Sequence, residues 1–85
     1  MRLDKYLKVS RIIKRRTVAK EVSDAGKITV NGRPAKASTD VKVGDKLVLT
    51  FGGKELEVEI LQVAETMKAD LAKDMYKILR ETANK

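Results

Sequence analysis

The chain has 85 residues, 42% of them hydrophobic and 36% charged, which suits one folded soluble domain with a modest core and leaves no room for a second. Cysteine and histidine are both absent, which excludes disulfides, thiolate or imidazole metal ligands and every nucleophile–base pair built on those side chains; no cofactor or metal is expected. The opening MRLDKYLK has no apolar leader, and nowhere do about 18 apolar residues run together, so the sequence predicts a cytoplasmic protein without a membrane segment.

Charge is segregated along the chain. Residues 1–36 hold eleven Lys/Arg against three acids, a net +8, whereas residues 37–85 hold eight against nine, a net −1, so the whole +7 excess belongs to the first half. Evenly spread basic charge can simply keep a protein soluble. Segregation points instead to a face that binds a polyanion.

Leu3, Tyr6 and Leu7 fall at i, i+3 and i+4, the spacing of one apolar helical stripe, and predict a short helix over 2–9. After the cationic run Lys14-Arg15-Arg16, Val18, Val22 and Ala25 recur at about helical spacing before Gly26, predicting a second helix over roughly 15–25. Lys27-Ile28-Thr29-Val30 alternates and meets Asn31-Gly32, a two-residue hairpin signal. Gly44-Asp45 marks another turn, Lys46 to Phe51 reads as a strand, and Gly52-Gly53 turns the chain again. Glu55 to Ile60 alternates strictly, placing Leu56, Val58 and Ile60 toward a core and three glutamates on the opposite, solvated face, which should point away from RNA. Met67, Leu71, Met75, Ile78 and Leu79 follow i, i+4, i+8, i+11 and i+12, and predict an amphipathic C-terminal helix over about 67–81.

Lys14, Arg15 and Arg16 lie where the second helix should begin. Cations there oppose the positive end of the helix dipole at about 0.3–1 kcal/mol each, so stability alone does not select them. A bound phosphate reverses the balance, because exposed backbone N–H groups and cationic side chains then converge on one anion.

Residues 1–51 resemble the S4 RNA-binding domain family. The resemblance is carried by Arg2-Leu3-Asp4, by Arg16 with Ala19, and by Gly26, Val30-Asn31-Gly32, Lys36, Val41 and Gly44-Asp45, in that order. It implies an α+β fold with two N-terminal helices packed on a small twisted antiparallel sheet, and RNA phosphates lying across the helix pair and the following turn. The division expected is an S4 core over 1–51, a strand extension of the same domain over 52–66, and a C-terminal helix and tail over 67–85. Similar domains often place Ser or Thr where Arg15 stands, so Thr17 or a backbone arrangement must cap the second helix here.

Over its full length the chain resembles the free-standing heat-shock and ribosome-quality-control branch of the family. That resemblance implies a protein that binds large-subunit rRNA and peptidyl-tRNA on obstructed large ribosomal subunits. It implies further that the protein acts with the tailing factor RqcH in alanine tailing of stalled nascent chains; a monomer is expected. Charge and resemblance together assign RNA contact to Arg2, Lys5, Lys8, Arg11, Lys14, Arg15, Arg16, Thr17, Lys20, Lys27, Asn31, Arg33 and Lys36, with no catalytic residue.

Other readings are weaker. The carboxylates sit singly beside turns or alternate along a strand, without a phosphate loop or a histidine base, so an enzyme is not expected. The basic stretch lacks the Trp/Phe/Leu-rich opposite face of an interfacial helix. Aromatics are limited to Tyr6, Phe51 and Tyr76, which favours shape and phosphate recognition over base stacking. A general rRNA-binding assembly or heat-shock factor, and a protein-interaction module acting through the C-terminal helix, remain as alternatives.

Overall fold

Apolar spacing and turn chemistry set most of the architecture. The computed structural model describes residues 1–83 and contains helices α1 (Leu3–Val9) and α2 (Arg16–Asp24). Strands β1 (Ile28–Val30), β2 (Arg33–Pro34), β3 (Lys46–Phe51), β4 (Lys54–Ile60) and β5 (Tyr76–Ala83) follow, with a short 3-10 helix over Ala72–Met75 leading into β5. The strands form one antiparallel sheet in the order β2-β1-β3-β4-β5. The fold is the expected α+β arrangement of two helices on a small sheet.

Leu3, Tyr6 and Leu7 are fully buried, as the helical spacing predicts. They meet Ile28, Leu47, Leu49, Val58 and Ile60 from the inward face of β1, β3 and β4, together with Met75. Each large side chain buried in this way contributes about 1.5–3 kcal/mol by leaving water. The inward face of α2 differs from the stripe read in the sequence. Ala19 and Ser23 are buried and Val22 partly so, whereas Val18 is 41% exposed and Ala25 is exposed, because small residues let α2 lie close to its neighbours.

Asn31 and Gly32 carry φ of 53° and 83°, the left-handed pair that a two-residue hairpin needs. The Asn31 side chain also bridges to the next turn, its Nδ2 donating to Asp45 Oδ1 at 3.1 Å and its Oδ1 accepting the Lys46 N–H at 2.9 Å.

The expected C-terminal helix over 67–81 is corrected to the 3-10 turn and strand β5; residues 84–85 of the expected tail lie outside the described residues. Tyr76 to Ala83 pairs along the whole of β4, with a bulge beside Glu57 and Val58. A helix would have left the backbone groups on that edge of β4 unpaired, whereas a strand satisfies them in register. The same pairing changes the glutamate face. It lies away from the helices as expected, yet Glu55, Glu57 and Glu59 are half-buried rather than fully solvated. Arg80 lies against two of them, at 2.7 Å from Glu55 and 3.3 Å from Glu57.

Candidate nucleic-acid interface

Asp4 is an acid in the first turn of α1, where it complements the helix dipole, and its side chain is almost fully buried. Four donors converge on it. Oδ1 accepts the Lys5 backbone N–H at 2.8 Å and Arg2 Nε at 3.1 Å; Oδ2 accepts Arg2 Nη2 at 3.3 Å and Arg16 Nε at 3.4 Å. Burial pushes the carboxyl up, but the hydrogen bonds from Arg2, Arg16 and Lys5 outweigh it and hold the group below its ordinary value of 3.8.

The consequence is a fixed pair of guanidiniums, one from the N-cap of α1 and one from the first turn of α2. Both arginines are half-exposed, and two positive groups on one carboxylate leave a net positive site whose remaining N–H donors face solvent. The sequence reading named both arginines and missed the residue that joins them. A signal was available, since an acid flanked by Arg2 and Lys5 in a basic segment is the natural counter-ion for that segment.

Arg16 opens α2, and Arg15 precedes it as the N-cap with extended backbone and no side-chain hydrogen bond. The helix therefore starts without a side-chain cap from Thr17, which lies exposed in its first turn beside the arginines. Lys14, Arg15, Arg16 and Thr17 are all exposed around the helix start, with Lys20 one turn further along α2. The first N–H groups of α1 are used differently. Leu3 and Asp4 donate to the Thr39 and Ala37 carbonyls at 2.8 and 3.1 Å, which anchors α1 to the loop after β2 and leaves the start of α2 as the better anion site.

The remaining assigned residues divide by what holds them. Lys8, Arg11, Lys27 and Arg33 are exposed cations. Lys5 is drawn to Glu65 at 2.7 Å, Lys36 Nζ donates to the Asp24 carbonyl at the end of α2 at 3.3 Å, and Asn31 has both amide atoms engaged in the turn described above. These three have structural partners in addition to any RNA. Among the described residues no group of three or more Asp, Glu, His or Cys side chains could hold a metal, and no helix is long and apolar enough to cross a membrane.

Residues 1–47 match the model of the S4 domain family. The chain belongs to that family. Within it, the chain is 60% identical over 82 residues to the RQC P-site tRNA stabilizing factor (RqcP) of Streptococcus pneumoniae, covering 96% of this chain and 93% of that protein. It is 57% identical over 81 residues to the factor of the same name in Bacillus subtilis, covering 95% and 94%. The heat shock protein 15 homolog of Haemophilus influenzae is more distant, at 38% identity over 65 residues, 76% of this chain and 50% of that protein. Among solved structures, the S4 architecture seen here superposes on the trimeric Vibrio cholerae heat shock protein 15 with a TM-score of 0.84 at 32% identity, covering 92% of this chain and 80% of that one. Arg2, Asp4 and Arg16 lie within residues 1–47, the part of the chain that matches the family model.

Proposed function

We propose that this chain is a ribosome-associated quality-control factor that binds obstructed large ribosomal subunits through rRNA and peptidyl-tRNA, and that it acts by binding rather than catalysis. The observation that carries the reading is the Asp4-clamped pair of Arg2 and Arg16 beside the start of α2, in a chain 60% identical to an RQC P-site tRNA stabilizing factor. Phosphates of folded RNA dock on this pair, on Lys14 and Arg15, and on the exposed cations Lys8, Arg11, Lys20, Lys27 and Arg33, with Lys5, Thr17, Asn31 and Lys36 at the margins. The protein works in the cytoplasm as a monomer alongside RqcH, and supports alanine tailing of the stalled nascent chain.

The test is co-sedimentation with purified large subunits, with and without peptidyl-tRNA, at several salt concentrations. Subunits carrying peptidyl-tRNA should retain the wild type more tightly than empty ones, and affinity should fall steeply with salt, each neutralised phosphate contributing a slope of about 0.7–0.9 in log K against log salt. A charged hydrogen bond contributes on the order of 1.5–3 kcal/mol, so Arg16→Ala should weaken binding about tenfold or more, Arg2→Ala should act on the same surface, and Arg15→Ala should do less. In a reconstituted reaction with RqcH, alanine addition should require the wild-type protein. Binding that is flat in salt, or an Arg16→Ala variant that sediments like the wild type, would overturn the reading.

A general rRNA-binding assembly or heat-shock role is the second reading, favoured by the likeness to heat shock protein 15. It predicts equal binding to empty and peptidyl-tRNA-bearing subunits. The interaction-module alternative rested on a C-terminal helix over 67–81, where the chain instead forms a 3-10 turn and strand β5.

A further inference from the structure

We propose that Arg11 is kept in an unfavourable backbone conformation for the sake of its side chain, which binds an RNA phosphate and carries the RNA surface around the C-terminal end of α1; this rests on the RNA-binding reading above. Both helices of this chain stop at a residue with positive φ whose N–H turns back on the last turn, although α1 closes one residue later than α2. In α2, Ala25 is followed by Gly26 at φ 79°, whose N–H donates to the Ser23 carbonyl at 3.1 Å, while Lys27 N–H reaches the Val22 carbonyl at 3.3 Å. In α1, Ser10 is followed by Arg11 at φ 62°, whose N–H donates to the Lys8 carbonyl at 3.1 Å, while Ile13 N–H reaches the Leu7 carbonyl at 3.1 Å.

Glycine adopts this left-handed conformation without a steric penalty, and arginine does not. Asn31 is the other non-glycine residue with positive φ among those described, and asparagine tolerates the region in hairpin turns. Where only the backbone matters, at Gly26, the chain carries glycine. Arg11 breaks that rule.

The fold makes no evident use of the Arg11 side chain, which is exposed and forms no hydrogen bond or ion pair with the described residues. A cation near the end of α1 complements the helix dipole, but Lys8 in the last turn already supplies one, from an ordinary conformation. The Arg11 side chain lines a groove with Lys8 and Val9 on one side and Glu65, Thr66 and Met67 on the other. The carboxylate there is engaged elsewhere, Glu65 Oε1 accepting Lys5 Nζ at 2.7 Å. Lys8 and Arg11 therefore offer cationic donors to a phosphate entering this groove from solvent.

The experiment compares the wild type with Arg11→Gly, Arg11→Asn and Arg16→Ala, measuring thermal melts and binding to purified large ribosomal subunits across salt. Arg11→Gly should raise Tm by a few degrees, since it relieves the strained position, yet bind about tenfold more weakly, with a salt slope lower by about 0.7–0.9. Arg11→Asn, which also tolerates the left-handed region, should show the same loss of affinity without the added freedom of glycine. A rise in stability coupled to a loss of binding supports the proposal. If Arg16→Ala loses binding while both Arg11 variants bind like the wild type, the proposal is wrong and the RNA-binding reading stands. If either Arg11 variant melts well below the wild type, the side chain serves the fold and the proposal is equally wrong. If the wild type does not bind the subunits at all, the reading beneath it falls too.

Discussion

The Tyr6 hydroxyl donates to the Met75 carbonyl at 2.8 Å, joining the first helix to the turn before the last strand across 69 positions of sequence. The same carbonyl accepts the Leu61 and Gln62 N–H groups at 2.8 and 3.1 Å, so one backbone oxygen gathers α1, the end of β4 and the start of β5. Burial, with Tyr76 nearby, pushes the Tyr6 hydroxyl far above its ordinary range, and it remains a donor at any working pH. Tyr6→Phe keeps the buried ring and removes this bond alone. The expected cost is about 0.5–1.5 kcal/mol, a fall in Tm of roughly 2–12 °C for a domain this small, with subunit binding unchanged. A melt indistinguishable from the wild type would show that the bond contributes nothing.

Met75 itself is fully buried, in a segment that a peripheral amphipathic helix would leave on the surface. Met75→Ala should therefore cost about 2–5 kcal/mol, enough to lower the denaturation midpoint markedly in urea. A cost under about 0.5 kcal/mol would mean that the last quarter of the chain is an appendage rather than part of the core.

Asp4 supplies a test that separates charge from geometry. Asp4→Asn raises the net charge by one, so a purely electrostatic surface should bind RNA more tightly. We expect the opposite, a loss of about threefold to tenfold, because the amide no longer holds Arg2 and Arg16 with charge-assisted hydrogen bonds. The pH dependence follows from the lowered pKa of Asp4. A carboxyl whose folded pKa lies below its unfolded value contributes stability that is complete above about pH 4 and lost as pH falls through the folded value. Melts of the wild type should thus be insensitive to this group from pH 5 to 8, and the difference between wild type and Asp4→Asn should shrink below about pH 4.

Glu57 lies on the face of the sheet away from α1 and α2, with Arg80 Nε at 3.3 Å and Glu55 as that arginine's other partner. Glu57→Lys should leave the fold intact at a cost of no more than about 1 kcal/mol, since half-exposed pairs contribute little. Subunit affinity should not fall. A folded Glu57→Lys variant with clearly weaker binding would place RNA on the wrong face in our assignment.

The elements legible in the sequence are those whose signals are local. Leu3, Tyr6 and Leu7 define α1 by their spacing, Gly26 ends α2, Asn31-Gly32 closes the β1–β2 hairpin, and the alternation in 55–60 marks β4. The concentration of charge in residues 1–36 pointed to the candidate interface before any tertiary contact is considered. Contacts between elements were not legible. That Asp4 of α1 would hold Arg16 of α2 depends on how α1 packs against α2, which spacing within either helix does not encode.

The C-terminal segment marks the same boundary. Met67, Leu71, Met75, Ile78 and Leu79 fit a helical stripe, yet Leu71, Ile78 and Leu79 are 46%, 51% and 40% exposed, and only Met75 among the five is fully buried. Within the segment, helix and strand were close alternatives, with Tyr76, Ile78 and Thr82 also suited to a strand. The sequence by itself determined the helix pair, the hairpin and the basic half of the chain. Tertiary structure decided β5, because the backbone groups along the outer edge of β4 needed partners, and residues 76–83 in extended form supply them in register.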